Sequence, residues 1–172
     1  GAAYQSGWQP ERSLVFASWD GEEWGLVGST EWVEQFQSEL RAHAVAYINL
    51  DVVASGVDFS GSCTPGLASF ITQTCLQEGV EAPTNLGTPG GGSDHVPFLE
   101  WAGIEVAGIG FHGSSGTYHS QMDTPFVVET FLDPDFQNHR RAARFASQLL
   151  LNLSHGNANP RAAKQWAQRA RC

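Results

Sequence analysis

Three short apolar runs alternate with helical patterns, and this alternation constrains the fold more than any other feature. Apolar side chains dominate residues 13–18, 45–53 and 104–111, whereas helical spacing extends from about Ser29 to Ala44 and from about Gly66 to Glu78. Strands that are apolar almost throughout are typical of a largely parallel sheet with helices on both faces. The sequence therefore predicts an α/β fold, a three-layer sandwich around a mostly parallel, mixed sheet.

The last predicted helix marks the end of the folded domain. Asp133 is a favourable N-cap residue, and Pro134 suits the first helical position. The predicted core face repeats at helical spacing and comprises Ala142, Phe145, Ala146, Leu149, Leu150 and Leu153. After Ser154 the periodicity fades and the sequence becomes basic. We therefore expect one domain over residues 1–154, followed by a basic tail or the start of a further segment over residues 155–172.

Charge and cysteine content exclude several classes of function. The net charge is −9, and four of the nine basic residues lie within residues 155–172. An acidic domain does not suit nucleic-acid binding, whereas it favours a site that concentrates cations. The three cysteines lack zinc-finger spacing, and they leave the disulfide state open. No apolar run is long enough to span a bilayer.

Polar side chains follow each predicted strand where that strand ends. Glu22 and Glu23 follow the first strand, Asp51 lies late in the second, and Tyr118 and His119 follow the third. Ligands of open α/β sheets bind at the carboxyl ends of the strands. Carboxylates and imidazole without cysteine favour a hydrolytic site for zinc, manganese or cobalt. The alternative for Glu22 and Glu23 alone is a solvated acidic turn.

Four motifs resemble the glutamate carboxypeptidase II branch of the co-catalytic zinc aminopeptidase and carboxypeptidase family. They are Phe-Ala-Ser-Trp-Asp-Gly-Glu-Glu-Trp-Gly-Leu-Val-Gly-Ser-Thr-Glu-Trp at 16–32, Ala-Tyr-Ile-Asn-Leu-Asp at 46–51, Gly-Ser-Asp-His-Val-Pro-Phe at 92–98 and Tyr-His-Ser at 118–120. The likeness covers roughly residues 8–154 and implies the zinc-exopeptidase type of sandwich.

The resemblance also implies a role for each matching residue. Glu22 is similar to the general base, and Tyr118 to the tyrosine that hydrogen-bonds the oxyanion. Glu23 and His119 resemble ligands of one zinc ion, and Asp51 resembles a ligand of the second. The positions that resemble substrate contacts are Gly25, Leu26, Gly92 and Ser93.

The sequence departs from the family pattern in one respect. The family takes a His-x-Asp pair from a segment upstream of the first motif, whereas the first histidine here is His43. We therefore expect residues 1–154 to be the C-terminal part of a peptidase domain, truncated at its N-terminus and belonging to a longer polypeptide. The complete domain would hold two zinc ions, whereas this chain alone would bind zinc poorly and be inactive.

The resemblance implies a zinc-dependent exopeptidase that hydrolyses a terminal peptide bond of a peptide or dipeptide. The choice between aminopeptidase and carboxypeptidase stays open. The alternative is a non-catalytic binding or scaffold domain, as in transferrin-receptor-like relatives. A homodimer and an extracellular or membrane-anchored ectodomain fit the same resemblance.

Two further polar residues of the third motif have more than one interpretation. Asp94 is expected to be the N-cap of a short helix and to orient its neighbours, with direct catalysis as the alternative. His95 is expected at the helix start or in a pocket wall, with metal ligation as the alternative.

Overall fold

A mixed three-stranded sheet lies at the centre of the molecule. The computed structural model describes residues 5–114 and 116–155. The strands are β1 (Ala46–Asn49), β2 (Asp58–Cys63) and β3 (Glu105–His112), in the order β1-β3-β2. Strand β1 is parallel to β3, and β2 is antiparallel to it. The predicted mixed sheet is thus confirmed.

Five helices of the described part of the chain surround this sheet. They are α1 (Val27–Gln35), α2 (Gln37–His43), α3 (Ala68–Glu78), α4 (His95–Glu100) and α5 (Gln137–Ser154). Short helical turns cover Glu22–Trp24, Pro65–Leu67, Pro125–Val127 and Val128–Leu132. Helix α3 matches the predicted segment closely, whereas the predicted helix from Ser29 to Ala44 is divided at Phe36 and begins earlier, at Val27.

One face of the sheet is covered by α3 and α5. Phe145 of α5 is 1% exposed, and its ring centroid lies 4.5 Å from that of Phe59 on β2. Ile71 of α3 and Phe111 of β3 belong to the same buried cluster. The predicted core face of α5 is confirmed, since its members are buried or nearly so.

The opposite face is covered by α1 and α4. Val33 of α1 and Phe98 of α4 pack against Val106 of β3. The ring of Tyr47 on β1 stacks on Phe98 with centroids 4.0 Å apart. Helices on both faces of the sheet make the three layers that the sequence predicts.

The start of α5 differs in detail from the prediction. The carboxylate of Asp133 accepts hydrogen bonds from the backbone N–H groups of Asn138 and His139, both at 3.1 Å. It therefore satisfies free N–H groups at the helix terminus, although the helix itself begins at Gln137 rather than at Pro134.

The predicted first strand, residues 13–18, is not a strand in this structure. These residues make no backbone hydrogen bond with another residue of the described part of the chain. Val15 is 77% exposed and Phe16 is 82% exposed. The prediction was wrong because a strand needs a neighbour to pair with, whatever its own apolar character.

Strand β2 was not predicted, since residues 56–65 resemble a turn-rich loop. Its sequence, Asp-Phe-Ser-Gly-Ser-Cys, carries glycine and serine where strands usually carry β-branched residues. The predicted division near residue 154 coincides with the end of α5, but residues 156–172 lie outside the described part, so the tail stays a prediction. No helix within the described ranges is long and apolar enough to cross a membrane.

Candidate functional site

The adjacent acids Glu22 and Glu23 lie on a single helical turn, Glu22–Trp24, between two glycines with positive φ. Gly21 has φ 67° and Gly25 has φ 99°, a conformation that glycine adopts without strain. The backbone N–H of Gly25 donates to the carbonyl of Glu22 at 3.1 Å. The two glycines close a tight turn that holds both carboxylates where the chain leaves residues 13–18.

The side chain of His119 contacts Glu23 of this turn. Its Nε2 lies 2.9 Å from Oε1 of Glu23, and both side chains are more than half exposed. The ring of Tyr118 stacks on that of His119, with centroids 3.9 Å apart. His119 has φ 56°, a strained conformation for a non-glycine residue that is often associated with functional sites.

Asp51 lies just beyond the end of β1, after Leu50, and is oriented by Ser93. The hydroxyl of Ser93 donates to Oδ2 of Asp51 at 2.8 Å, and it accepts a hydrogen bond from the Asn49 amide at 2.8 Å. Ser93 and Asn49 are both buried, whereas Asp51 is exposed. The carboxylate of Asp51 is therefore held through Oδ2, and Oδ1 has no hydrogen bond with another described residue.

The hydrogen-bond chain continues away from Asp51 into the core. The indole N–H of Trp19 donates to the Tyr47 hydroxyl at 3.0 Å, and that hydroxyl donates to Oδ1 of Asn49 at 3.1 Å. Burial raises the pKa of Tyr47 to about 12, so the phenol keeps its proton at neutral pH. Trp19, Tyr47, Asn49 and Ser93 thus form one directed chain that ends on Asp51.

Sequence reasoning assigned no role to Tyr47 or Asn49. A signal was nevertheless present, since Tyr47, Asn49 and Asp51 are spaced two residues apart. In an extended segment that spacing places side chains on one face.

Asp94 is positioned by a second buried hydroxyl. Ser29 of α1 is fully buried, and its Oγ donates to Oδ1 of Asp94 at 2.6 Å. Asp94 occupies the N-cap position of α4 but makes no side-chain capping bond. Asp94 therefore occupies the predicted N-cap position, but its carboxylate does not cap the helix.

The pKa of Glu22 reflects the neighbouring carboxylates. Desolvation raises the pKa of Glu22, and the negative charges of Glu23, Asp51 and Asp94 raise it further, while His119 opposes the shift. These are the effects expected when acids from separate loops share one site. A carboxylate with a raised pKa is a stronger proton acceptor, which suits a general base.

The predicted substrate-contact residues lie beside these acids. Gly25 and Gly92 have positive φ, and a Cβ atom built on either would meet no atom within 4 Å. Leu26 has φ 59° and directly precedes α1. The Ser93 hydroxyl already contacts Asn49 and Asp51, so its side chain supports Asp51, and its role toward a substrate stays a prediction.

His95 is buried and is the first residue of α4, which confirms the predicted position at the helix start. Its Nε2 lies 2.8 Å from the carbonyl oxygen of Gly90, and its buried Nδ1 has no hydrogen-bond partner among the described residues. Metal ligation by His95 has no support from a neighbouring acid, since no ion pair of His95 occurs among the described residues.

The donor types at this site suit zinc, but their number is incomplete. The side chains of Glu23 and His119 contact each other, and Asp51 lies on a separate segment after β1. Within residues 5–114 and 116–155, no group of three or more histidine, cysteine, aspartate or glutamate side chains could hold a metal ion. A catalytic zinc ion usually has three protein ligands. The described residues alone therefore do not form a complete zinc site.

Comparisons with known proteins identify the family of the chain. Residues 2–132 match peptidase family M28. A probable glutamate carboxypeptidase, LAMP1 of Arabidopsis thaliana, is 35% identical over 86% of this chain, and the aminopeptidase NAALADL1 of Mus musculus is 36% identical over 86%. This chain spans about a quarter of the length of these relatives, 24% in each case.

The fold comparison points in the same direction. The crystal structure of BSAP, a zinc aminopeptidase from Bacillus subtilis, superposes with a TM-score of 0.67 at 20% identity, covering 83% of this chain and 36% of that chain. This likeness supports the α/β fold, and the family match covers most of the sequence. The resemblance in the four motifs is thus confirmed, and the chain belongs to peptidase family M28.

Proposed function

We propose that this chain is part of a zinc-dependent exopeptidase that hydrolyses a terminal peptide bond of a peptide or dipeptide. The observation that carries the proposal is the contact of 2.9 Å between Glu23 and His119, beside a Glu22 whose pKa is raised. Relatives that bear both carboxypeptidase and aminopeptidase names support an exopeptidase without choosing between the two.

Each residue at the site has a distinct task in this proposal. Glu23 and His119 would hold one zinc ion and Asp51 the other, with the remaining ligands supplied by a longer polypeptide. When bound, zinc polarises a carbonyl and lowers the pKa of bound water to about 7. Glu22 stays off the metal, accepts the proton of the attacking water and passes it to the leaving amine. Tyr118 donates a hydrogen bond to the developing oxyanion.

Replacing Glu22 by glutamine tests the assignment of the base. In the full-length polypeptide with zinc, we expect Glu22→Gln to lower kcat at least about a hundredfold, because glutamine cannot accept the proton. Hydrolysis is measured on a series of dipeptides blocked at one end or the other, so that the same assay separates aminopeptidase from carboxypeptidase activity.

Glu34→Gln is the matched control, since Glu34 is an exposed acid on α1 away from the site. A chelator should abolish wild-type hydrolysis, and zinc should restore it. If Glu22→Gln keeps more than about a hundredth of the wild-type rate, the assignment of the base is wrong. If the full-length polypeptide with zinc hydrolyses none of the substrates, the non-catalytic scaffold function replaces the enzyme.

A further inference from the structure

His95 is a buried titratable residue that the proposed reaction does not use. Only 8% of the residue is exposed. Its Nε2 lies 2.8 Å from the carbonyl oxygen of Gly90, and because a carbonyl only accepts, the proton of the neutral imidazole is on Nε2. The lone pair of Nδ1 is buried and has no donor among the described residues. The imidazole therefore acts as a single donor directed at Gly90.

The unsatisfied nitrogen makes His95 costly as a purely structural residue. A buried polar atom without a partner destabilises the folded state, and few such atoms occur in native proteins. An apolar side chain of similar volume would fill the same space without this cost. We therefore look for the role of His95 in its Nε2 donor, the part of the ring that has a partner.

The glycine loop before α4, residues 88–92 with the sequence Thr-Pro-Gly-Gly-Gly, depends on that donor. It is fixed at its start, where Gly87 pairs with β2, and at its end by the hydroxyl contacts of Ser93. Between these ends, the bond from His95 to Gly90 is the single hydrogen bond that the loop makes with another described residue. Consecutive glycines lose the most backbone entropy on ordering, so the loop would be poorly held without this bond.

The glycine loop leads directly into the acidic site. Asp94, two residues after the loop, lines one cavity together with Glu22 and Asp51. A Cβ atom built on any glycine of residues 90–92 would meet no atom within 4 Å, so this backbone borders open space. A backbone without side chains lets a ligand approach closely, as in other glycine loops that bind ligands. The loop is therefore placed to contact the backbone of a peptide.

We propose that His95 is a positioning residue whose bond to Gly90 (the latch) fixes the glycine loop in the conformation that contacts the substrate. The latch holds the middle of the loop, where no other hydrogen bond to a described residue holds it. The role toward the substrate rests on the proposed exopeptidase function, whereas the latch itself does not.

The support of Asp51 is independent of the latch. Asp51 is hydrogen-bonded by Ser93, and Ser93 is held in turn by the amide of Asn49. Loss of the latch should therefore free residues 88–92 and leave zinc affinity unchanged. This difference separates His95 from the residues that orient a metal ligand.

Three substitutions of His95 separate its donor from the rest of the ring. The amide nitrogen of glutamine lies as many bonds from Cβ as Nε2 of histidine does, whereas the amide nitrogen of asparagine corresponds to Nδ1. His95→Gln therefore keeps a donor that reaches Gly90, and His95→Asn does not. His95→Leu removes both nitrogens, including the unsatisfied Nδ1.

Cleavage by subtilisin tests the latch without relying on enzyme activity. In the full-length polypeptide, we expect bonds within residues 86–93 to be cut about 3–10-fold faster in His95→Asn and His95→Leu, the effect of one lost hydrogen bond on local opening. His95→Gln should be cut at the wild-type rate. Mass spectrometry locates the cuts, and phenanthroline, which removes zinc, keeps the polypeptide's own activity silent.

His43→Asn, at an exposed histidine that ends α2, is the matched control and should be cut at the wild-type rate. If His95→Asn and His95→Leu were cut no faster than wild type, the loop would not depend on the latch. If His95→Gln were cut as fast as His95→Asn, the donor would not be what holds the loop. Either result would overturn the proposal.

The free energy of unfolding distinguishes the latch from a contact that only stabilises the fold. Gly90 is exposed, so its carbonyl can bond to water when His95 is replaced. Because His95→Leu also removes the unsatisfied Nδ1, we expect its urea midpoint to be at or above that of wild type, although the loop opens faster. A lower midpoint together with faster cuts throughout the polypeptide would indicate general loosening and would overturn the latch.

Kinetics of the zinc-loaded full-length polypeptide test the role toward the substrate. Because a loop contact is made in the ground state and the transition state alike, His95→Asn should raise KM about 3–10-fold, with kcat and zinc affinity unchanged. His95→Gln should keep the wild-type KM. An unchanged KM in His95→Asn, or a loss of zinc affinity, would overturn this role. Absence of hydrolysis by the wild type would overturn the proposed function and the substrate role together, whereas cleavage by subtilisin would still decide the latch.

Discussion

Ser93 connects the buried core of the molecule to Asp51. The chain of hydrogen bonds begins at the indole of Trp19, which can only donate, so the direction of every later bond is fixed. Tyr47 must donate to Asn49, the Asn49 amide must donate to Ser93, and the single Ser93 proton is left for Asp51. These hydrogen bonds therefore hold Asp51 as an acceptor through its Oδ2 atom.

Removing the Ser93 hydroxyl should weaken zinc binding. We expect Ser93→Ala to lower zinc affinity about 10–100-fold in the full-length polypeptide, since groups that orient metal ligands contribute on that scale. Ser93→Thr keeps the hydroxyl and should restore affinity. Affinity is measured by competition with a chromophoric chelator, and Ser147→Ala, an exposed serine on α5, is the control.

Asn49→Asp tests whether zinc affinity depends on the orientation of Asp51 rather than on the packing of side chains around Ser93. A carboxylate at position 49 cannot donate to Ser93 and would compete for its proton, so zinc affinity should fall as in Ser93→Ala. If Ser93→Ala kept the wild-type zinc affinity, or if Ser93→Thr failed to restore it, Asp51 would be held in place without these hydrogen bonds.

At the scale of single elements, Asp133 stabilises the start of α5. Burial alone would raise the pKa of this carboxyl, but the His139 imidazole and the N–H groups of Asn138 and His139 together lower it. We expect Asp133→Ala to reduce the free energy of unfolding by about 1–2 kcal/mol at neutral pH, as for other lost helix caps. Urea denaturation measures the change, and Asp135→Ala, exposed two residues away, is the control.

The lowered pKa fixes how this stabilisation depends on pH. A group whose pKa is lower in the folded state contributes fully above its unfolded value, near 3.8, and loses the contribution as pH falls through the folded value. The difference between wild type and Asp133→Ala should therefore be constant near neutrality and shrink below about pH 4. A difference that stays the same in acid would contradict the role of the charged carboxylate.

The elements also show what sequence can and cannot predict. Helices α3 and α5 and strand β3 were predicted well, because their apolar periodicity reflects burial that the described chain itself provides. Residues 13–18 have the same apolar character, yet pairing depends on a neighbour that no local pattern encodes. Strand β2 was missed for the opposite reason, since pairing with β3 overrides its weak strand propensity.

At the scale of the whole molecule, the motifs predicted which side chains approach one another but not how they are supported. The contact between Glu23 and His119 and the position of Asp51 follow from strand order and family motifs. The support from Ser29, Tyr47 and Asn49 requires three-dimensional packing of α1, β1 and the loop before α4. Supporting contacts of this kind arise between distant segments, and only the alternation of residues 47, 49 and 51 indicated one of them.

The core formed by α3, α5 and the sheet should unfold as one cooperative unit. Cys63 of β2 and Cys75 of α3 are free thiols buried in that cluster, and desolvation raises the pKa of both. In a Cys172→Ser background, Cys63→Ala and Cys75→Ala each leave one thiol for labelling. Because neither thiol can react without opening of the core, we expect each to be labelled at the slow rate set by global unfolding.

Phe145→Ala turns this expectation into a quantitative test. Phe145 contacts Phe59 and is almost fully buried, so its truncation should cost about 3–5 kcal/mol. When opening and closing are fast relative to labelling, that loss accelerates the labelling of both thiols by the same factor, at least about a hundredfold. Trp24→Ala, a large side chain that is 86% exposed, should leave both rates unchanged. If Phe145→Ala accelerated Cys75 but not Cys63, the β2 edge would open separately, and the cluster would not be a single cooperative unit.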